Sequence, residues 1–147
     1  MKLPQIEISL KYKGTKKSEL KQITSSQDTY NILKLLFDAD TFDWKEEMIL
    51  LCLNQANKLI GYYKVSSGGI SGTICDPKVV FTIALNSGAS SLILAHNHPS
   101  GNMTPSNADK EVTEKIKQGG KLLDIKLLDH IIVSDENYFS FADDNLI

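Results

Sequence analysis

The chain has 147 residues, of which 41% are hydrophobic and 23% are charged, a composition typical of a soluble globular domain. Its formal net charge of −2 lacks the basic excess of most nucleic-acid-binding proteins. Only two cysteines occur, which argues against a disulfide framework or a zinc ribbon and fits a reducing compartment. We therefore expect one domain over residues 1–147, located in the cytoplasm, with no membrane-spanning or signal segment.

The two ends of the chain carry opposite charges. Residues 1–24 hold six lysines and two glutamates, a net charge of +4, whereas residues 124–147 hold six acids and one lysine, a net charge of −5. Polar and apolar side chains alternate over residues 5–12, which predicts a half-buried strand. We interpret residues 1–24 as an N-terminal strand and basic arm that precede a core over residues 27–147. A solvated strand and turn explains the lysines more simply than an acidic partner does.

The rest of the chain alternates helices and strands. A broad apolar stripe after Ser26 predicts a helix over about 27–38. Asp76-Pro77 is typical of a helix start, and this second helix should end at Gly88. The other expected elements are strands at 46–53, 58–65, 90–97, 125–133 and 138–141 and a helix at about 106–118, which Gly119-Gly120 weakens or ends. This order predicts an α/β fold with a mixed sheet sandwiched by helices.

Two histidines stand where a buried strand ends. His96 and His98 are two residues apart, so on a strand both side chains point to one face. Asp109, near the start of the next helix, adds a carboxylate oxygen. Two imidazoles and one carboxylate form a three-ligand set that leaves one position of a tetrahedral zinc open for water. Each part also has a simpler explanation, since H-x-H occurs on solvated strand edges and Ser106-x-x-Asp109 is a capping box with Asp in place of Glu.

These residues carry a family resemblance. The string His96-Asn97-His98-Pro99-Ser100-Gly101, followed by Pro105-Ser106-Asn107-Ala108-Asp109, resembles the H-x-H-x7-S-x2-D signature of the JAMM (MPN-plus, JAB) zinc metallopeptidases. The residues of the first string, and the later segment Leu128-Asp129-His130-Ile131-Ile132-Val133, are similar to those of the bacterial RadC-like branch. The resemblance implies the cytidine-deaminase-like JAB/MPN architecture and a zinc-dependent hydrolase of amide or isopeptide bonds in peptides or proteins. It implies Zn²⁺ ligands at His96, His98 and Asp109, and a serine, Ser106, that steadies the developing oxyanion.

The resemblance also concerns an acid and a third histidine. The family places a glutamate, within hydrogen-bonding reach of the zinc water, on the strand after its first helix. Glu46 and Glu47 are the acids at that place, and because they point to opposite faces only one can serve. The fixed distance to Leu51-Cys52-Leu53-Asn54 favours Glu46 as the general base. His130 is expected to be a packed histidine or a neighbour of the ligands, because two histidines already supply the nitrogens.

Other functions compete with hydrolysis. RadC-like proteins have a historical link to DNA repair, and an accessory protein or interaction scaffold without hydrolase activity is the alternative. Longer members carry a segment resembling helix-hairpin-helix units, for which this chain is too short, so direct DNA binding is disfavoured. The adjacent letters H-N-H are not the nuclease motif of that name, and no G-x-S-x-G elbow supports a serine hydrolase. The glycine-rich stretch 66–73 is a flexible connection or the rim of a cleft, and the oligomeric state stays open.

Overall fold

The computed structural model describes residues 1–14, 16–67 and 75–147. Apart from one 3₁₀ turn at Lys17–Glu19, the helices and strands in this described part are, in chain order, α1 (Ser26–Leu33), β1 (Glu47–Leu53), β2 (Leu59–Ser67), α2 (Pro77–Ser87), β3 (Ser91–Asn97), α3 (Asn107–Leu122), β4 (Lys126–Val133) and β5 (Tyr138–Ser140). The predicted α/β class is confirmed. Most of the glycine-rich stretch 66–73 lies outside the described residues, so its two interpretations stay predictions.

The five strands form one mixed sheet in the order β2-β1-β3-β4-β5. β1 pairs antiparallel with β2, as the predicted hairpin requires, and antiparallel with β3. β3 and β4 are parallel and are connected through α3, while β5 returns antiparallel to β4. Every residue of β1 and β3 is buried, because helices cover both faces of these central strands. None of the helices within the described ranges is long and apolar enough to span a membrane.

Side-chain alternation along the central strands divides the core into two layers. On one face, Ile49 and Ile93 pack with apolar residues of α1. On the other, Leu50 and Leu94 pack with residues of α2 and α3. His96 lies two residues beyond Leu94, so it belongs to the face that α2 and α3 cover. The first candidate ligand therefore lies on the face of the sheet that α3 covers.

The predicted strand over residues 5–12 is wrong. Residues 1–14 contain no helix or strand, and the side chains of Ile6 and Ile8 are 87% and 70% exposed. Alternation favours a strand only where a neighbouring strand supplies hydrogen bonds, and among the residues that the structure describes none pairs with this segment. The chain reaches the sheet at Lys21, whose carbonyl accepts the Leu59 N–H of β2, and Gln22 forms an isolated bridge with Lys58.

Two helices also end at residues other than those predicted. α1 ends at Leu33 rather than near 38, because the chain continues in tighter turns whose Leu35 and Leu36 amides bond three residues back. α3 continues through Gly119 and Gly120 to Leu122 instead of ending at 118. The reason is close packing: a Cβ at Gly119 would lie 2.6 Å from the Phe81 ring, and one at Gly120 would lie 2.2 Å from the carbonyl oxygen of Ile125.

This close approach predicts a large stability loss for Gly120→Ala. The new Cβ would collide with backbone, which cannot swing aside, and overpacking of this kind costs roughly 1–3 kcal/mol. The free energy of unfolding, measured by urea denaturation, should fall by about 2 kcal/mol or more despite alanine's better helix propensity. Gly119→Ala is the matched control, since its Cβ meets only the movable end of the Phe81 ring. Equal stability losses in the two variants would contradict this account.

Candidate metal centre

His96 is the penultimate residue of β3, and His98 directly follows the strand, on the side of the sheet that α3 covers. His96 is completely buried and is paired across the sheet with Met48 of β1. His98 is half-buried, and its backbone N–H donates to the Val133 carbonyl at 3.0 Å, which holds it against the end of β4. One imidazole is thus fixed in the core and the other stands at the rim.

Asp109 enters from the first turn of α3. Ser106 caps this helix: its Oγ accepts the Asp109 N–H at 3.1 Å, and Asp109 Oδ2 accepts the Ser106 N–H at 2.7 Å. The capping box predicted from the sequence is therefore confirmed. The same box directs the carboxylate towards the histidines, with Oδ1 at 3.2 Å from His96 Nε2 and Oδ2 at 3.5 Å from His98 Nε2.

The three side chains turn atoms that can bind a metal towards one another. One ligand atom from each of His96, His98 and Asp109 lies within 4.8 Å of the others, and the two Nε2 atoms are 2.9 Å apart. The Nδ1 of His98 contacts the carbonyl oxygen of Asn102, which can only accept, so Nδ1 carries the hydrogen and the neutral ring presents a lone pair at Nε2. The lone pair of His98 and the carboxylate of Asp109 repel each other unless a donated hydrogen or a positive charge lies between them. Two imidazoles and a carboxylate are a donor set that can hold a divalent metal ion.

The pKa values of these groups follow from burial and from each other. Burial raises the pKa of Asp109, but the hydrogen bonds that His96 and His98 donate to its carboxylate when their Nε2 atoms carry a proton outweigh burial and hold that pKa well below its usual range. Burial lowers the pKa of His98, but the hydrogen bond that its protonated ring donates to Asp109, the contact with Asn102 and the charges of Asp109 and Glu46 together raise it. The carboxylate is therefore ionised, and the cluster attracts cations.

Glu46 and Glu47 lie on different sides of the sheet. Glu46 is half-buried directly before β1, and alternation places it on the face of Met48 and therefore of His96. Its negative charge acts on the ring of His98. Glu47 is buried, and its Oε2 lies 3.4 Å from the Lys64 ammonium. The candidate base that the sequence favours is thus the acid on the side of the histidines.

A family comparison agrees with this geometry. A sequence profile of the RadC-like JAB domain matches residues 23–146, which is most of the chain. The chain belongs to the RadC-like JAB domain family.

Curated relatives of this RadC-like JAB domain are named UPF0758 proteins. The one from Flavobacterium johnsoniae is 46% identical over 128 residues, covering 87% of this chain and 55% of the relative. The one from Chlorobaculum parvum is 38% identical over 127 residues, covering 86% and 56%. The one from Porphyromonas gingivalis is 37% identical over 144 residues, covering 97% and 62%. The chain spans little more than half the length of these relatives.

Asn97 ties the histidine strand of this RadC-like JAB domain to the segment that carries Glu46. Its side chain is completely buried on the face opposite the two histidines. The amide oxygen accepts the Glu47 N–H at 2.7 Å, and the amide nitrogen donates to the carbonyls of Phe42 and Lys45, each at 2.8 Å. The residue between the two candidate ligands therefore fixes the backbone on both sides of the candidate base.

His130 lies behind His96, away from the converging ligand atoms. Its Nε2 is 2.8 Å from His96 Nδ1, its Nδ1 is 2.6 Å from Thr113 Oγ1, and its ring stacks on Phe141. Burial, and the repulsion from His96 when that ring is protonated, push the pKa of His130 well below its ordinary value. His130 is thus a neighbour of a candidate ligand, one of the two roles that the sequence leaves open.

The sequence interpretation missed Asn97 and Thr113. Asn97 had a signal: on a strand, a polar residue between two histidines must point into the opposite layer, where a buried amide needs partners. Thr113 had a weaker one, because it follows Asp109 by four residues and so lies on the same helix face. Its contact with His130 depends on how α3 packs against β4, which the local sequence does not show.

Proposed function

We propose that this RadC-like JAB domain is a zinc-dependent hydrolase that cleaves amide or isopeptide bonds in peptide or protein substrates. The observation that supports the proposal is the convergence of three groups that can bind a metal at a strand end, with one of them, His98, at the rim. Three nitrogen and oxygen ligands with an open side are typical of catalytic zinc sites, whereas structural sites use four protein ligands.

The division of roles follows from the placement of each side chain. Zinc held by His96, His98 and Asp109 would supply Lewis-acid activation of water and of the scissile carbonyl. Glu46 accepts a proton at its carboxylate and returns it to the leaving amine. Ser106 Oγ accepts the Asp109 N–H, so its own hydrogen is free to be donated to the carbonyl oxygen as negative charge develops there.

The proposal is tested with a mixture of peptides and lysine-linked isopeptide conjugates, analysed by mass spectrometry. We expect zinc-loaded protein to generate new amino or carboxyl termini, a chelator to stop their formation, and added zinc to restore it. His98→Ala, purified in the same way, controls for contaminating peptidases, because the change is at the half-buried rim. Cleavage that survives the chelator, or that His98→Ala shows equally, would contradict the proposal, as would the absence of cleavage by zinc-loaded protein.

A further inference from the structure

A chain of buried hydrogen bonds runs from α3 through β4 to β3. Thr113 lies one helical turn after Asp109, and its hydroxyl donates to the Asp109 carbonyl at 2.6 Å. The same hydroxyl lies 2.6 Å from His130 Nδ1, and His130 Nε2 lies 2.8 Å from His96 Nδ1. We call this series of hydrogen bonds the Thr113–His130–His96 relay. All three of its side chains are buried.

The donors and acceptors of this relay can be assigned in one direction. The Asp109 carbonyl can only accept, so the single hydroxyl hydrogen of Thr113 points to it. The contact between Thr113 and His130 must then use the hydrogen on His130 Nδ1. The ring of His130 is fully buried against Phe141, an environment that favours a neutral ring. A neutral ring with its hydrogen on Nδ1 has a lone pair on Nε2, which accepts the Nδ1 hydrogen of His96.

We propose that Thr113 and His130 are positioning residues that hold His96 in the tautomer whose Nε2 lone pair faces His98 and Asp109. This inference rests on the proposed function, because that lone pair is the one a zinc ion would use. The opposite tautomer would point an N–H into the ligand cluster and leave His130 Nε2 facing another lone pair. Hydrogen-bonding partners of metal-binding histidines commonly contribute 10–100-fold to metal affinity.

Three variants separate positioning from stability. Thr113→Val keeps the side-chain shape but removes the hydroxyl, and we expect it to weaken zinc binding about 10–100-fold in a competition with a chromophoric chelator. Thr113→Ser restores the hydroxyl and should bind within about threefold of the parent. Ile116→Val is the matched control, since Ile116 is buried on α3 and packs in the α2–α3 layer outside the relay. It should lose about 0.5–1.5 kcal/mol of stability and leave zinc affinity unchanged.

The tautomers are read directly by long-range proton–nitrogen NMR of the histidine rings, recorded at about pH 8 with and without zinc. We expect the hydrogen on Nδ1 of both His96 and His130 in the parent and in Thr113→Ser, and a changed His96 or His130 pattern in Thr113→Val. A parent that shows His130 with its hydrogen on Nε2, or a folded Thr113→Val with parental zinc affinity and parental tautomers, would overturn the inference. If the parent binds no zinc, the proposed function fails, while the ring spectra of the metal-free protein still test the relay.

Discussion

Glu46→Gln is expected to abolish most amide hydrolysis while leaving zinc bound. Glutamine keeps the size of the side chain but cannot take a proton from water and deliver it to an amine. General acid–base groups contribute about 10²–10⁴-fold to rates, so kcat/KM should fall by that factor on any substrate that the peptide mixture reveals. Zinc content should stay at the parental value, because Glu46 is not among the converging ligand atoms.

The adjacent acid provides the control. Glu47→Gln removes the contact with Lys64 on the other side of the sheet, and partly exposed ion pairs of this kind contribute about 0–1 kcal/mol to stability. Its hydrolysis should remain within about threefold of the parent. Parental turnover in Glu46→Gln, or a larger loss in Glu47→Gln than in Glu46→Gln, would show that the base has been assigned to the wrong residue.

Asp109→Asn is expected to weaken zinc binding by about 10³-fold or more. Protein zinc sites with four ligands are worth roughly 10–16 kcal/mol, so the loss of the charged ligand should remove several kcal/mol. The amide oxygen can still accept the Ser106 N–H, so the start of α3 should persist. Equilibrium dialysis followed by elemental analysis measures the change.

Ser106→Ala separates ligation from helix capping. It removes the hydroxyl that accepts the Asp109 N–H and should cost about 1 kcal/mol of stability, while all three candidate ligands remain. Its zinc affinity should stay within about tenfold of the parent. If Ser106→Ala loses zinc as completely as Asp109→Asn does, the lost helix cap explains the loss of zinc in both variants. Ligation by the Asp109 carboxylate would then no longer be supported.

The candidate site was predictable because its main parts are local in sequence. His96 and His98 share a strand face through the two-residue repeat, and Ser106 and Asp109 form a helix start that the capping pattern defines. What brings the two pieces together is the crossover from β3 through α3 to β4, which the alternation of helices and strands also predicts. The sequence could separate Glu46 from Glu47 only by resemblance, because what surrounds each acid comes from other strands: Lys64 of β2 lies beside Glu47, and Glu46 lies on the face of His96 in β3.

The predictions that the structure contradicts relied on local patterns that contacts between distant segments override. Alternation at residues 5–12 is a local pattern, but a strand also needs a neighbouring edge, and none in the described part of the chain pairs with it. Gly119-Gly120 is a local helix-breaking signal that packing against Phe81 and Ile125 overrides. The contacts of Asn97 with the segment before β1 and of Thr113 with His130 join residues that lie 17 to 55 positions apart, so no short window along the chain contains them.

The most direct test of the central claim is anomalous diffraction at the zinc edge from crystals of the zinc-loaded protein. We predict one strong peak at about 2.0–2.2 Å from the Nε2 atoms of His96 and His98 and from a carboxylate oxygen of Asp109. Zinc on other side chains, or no peak among these three, would contradict the account.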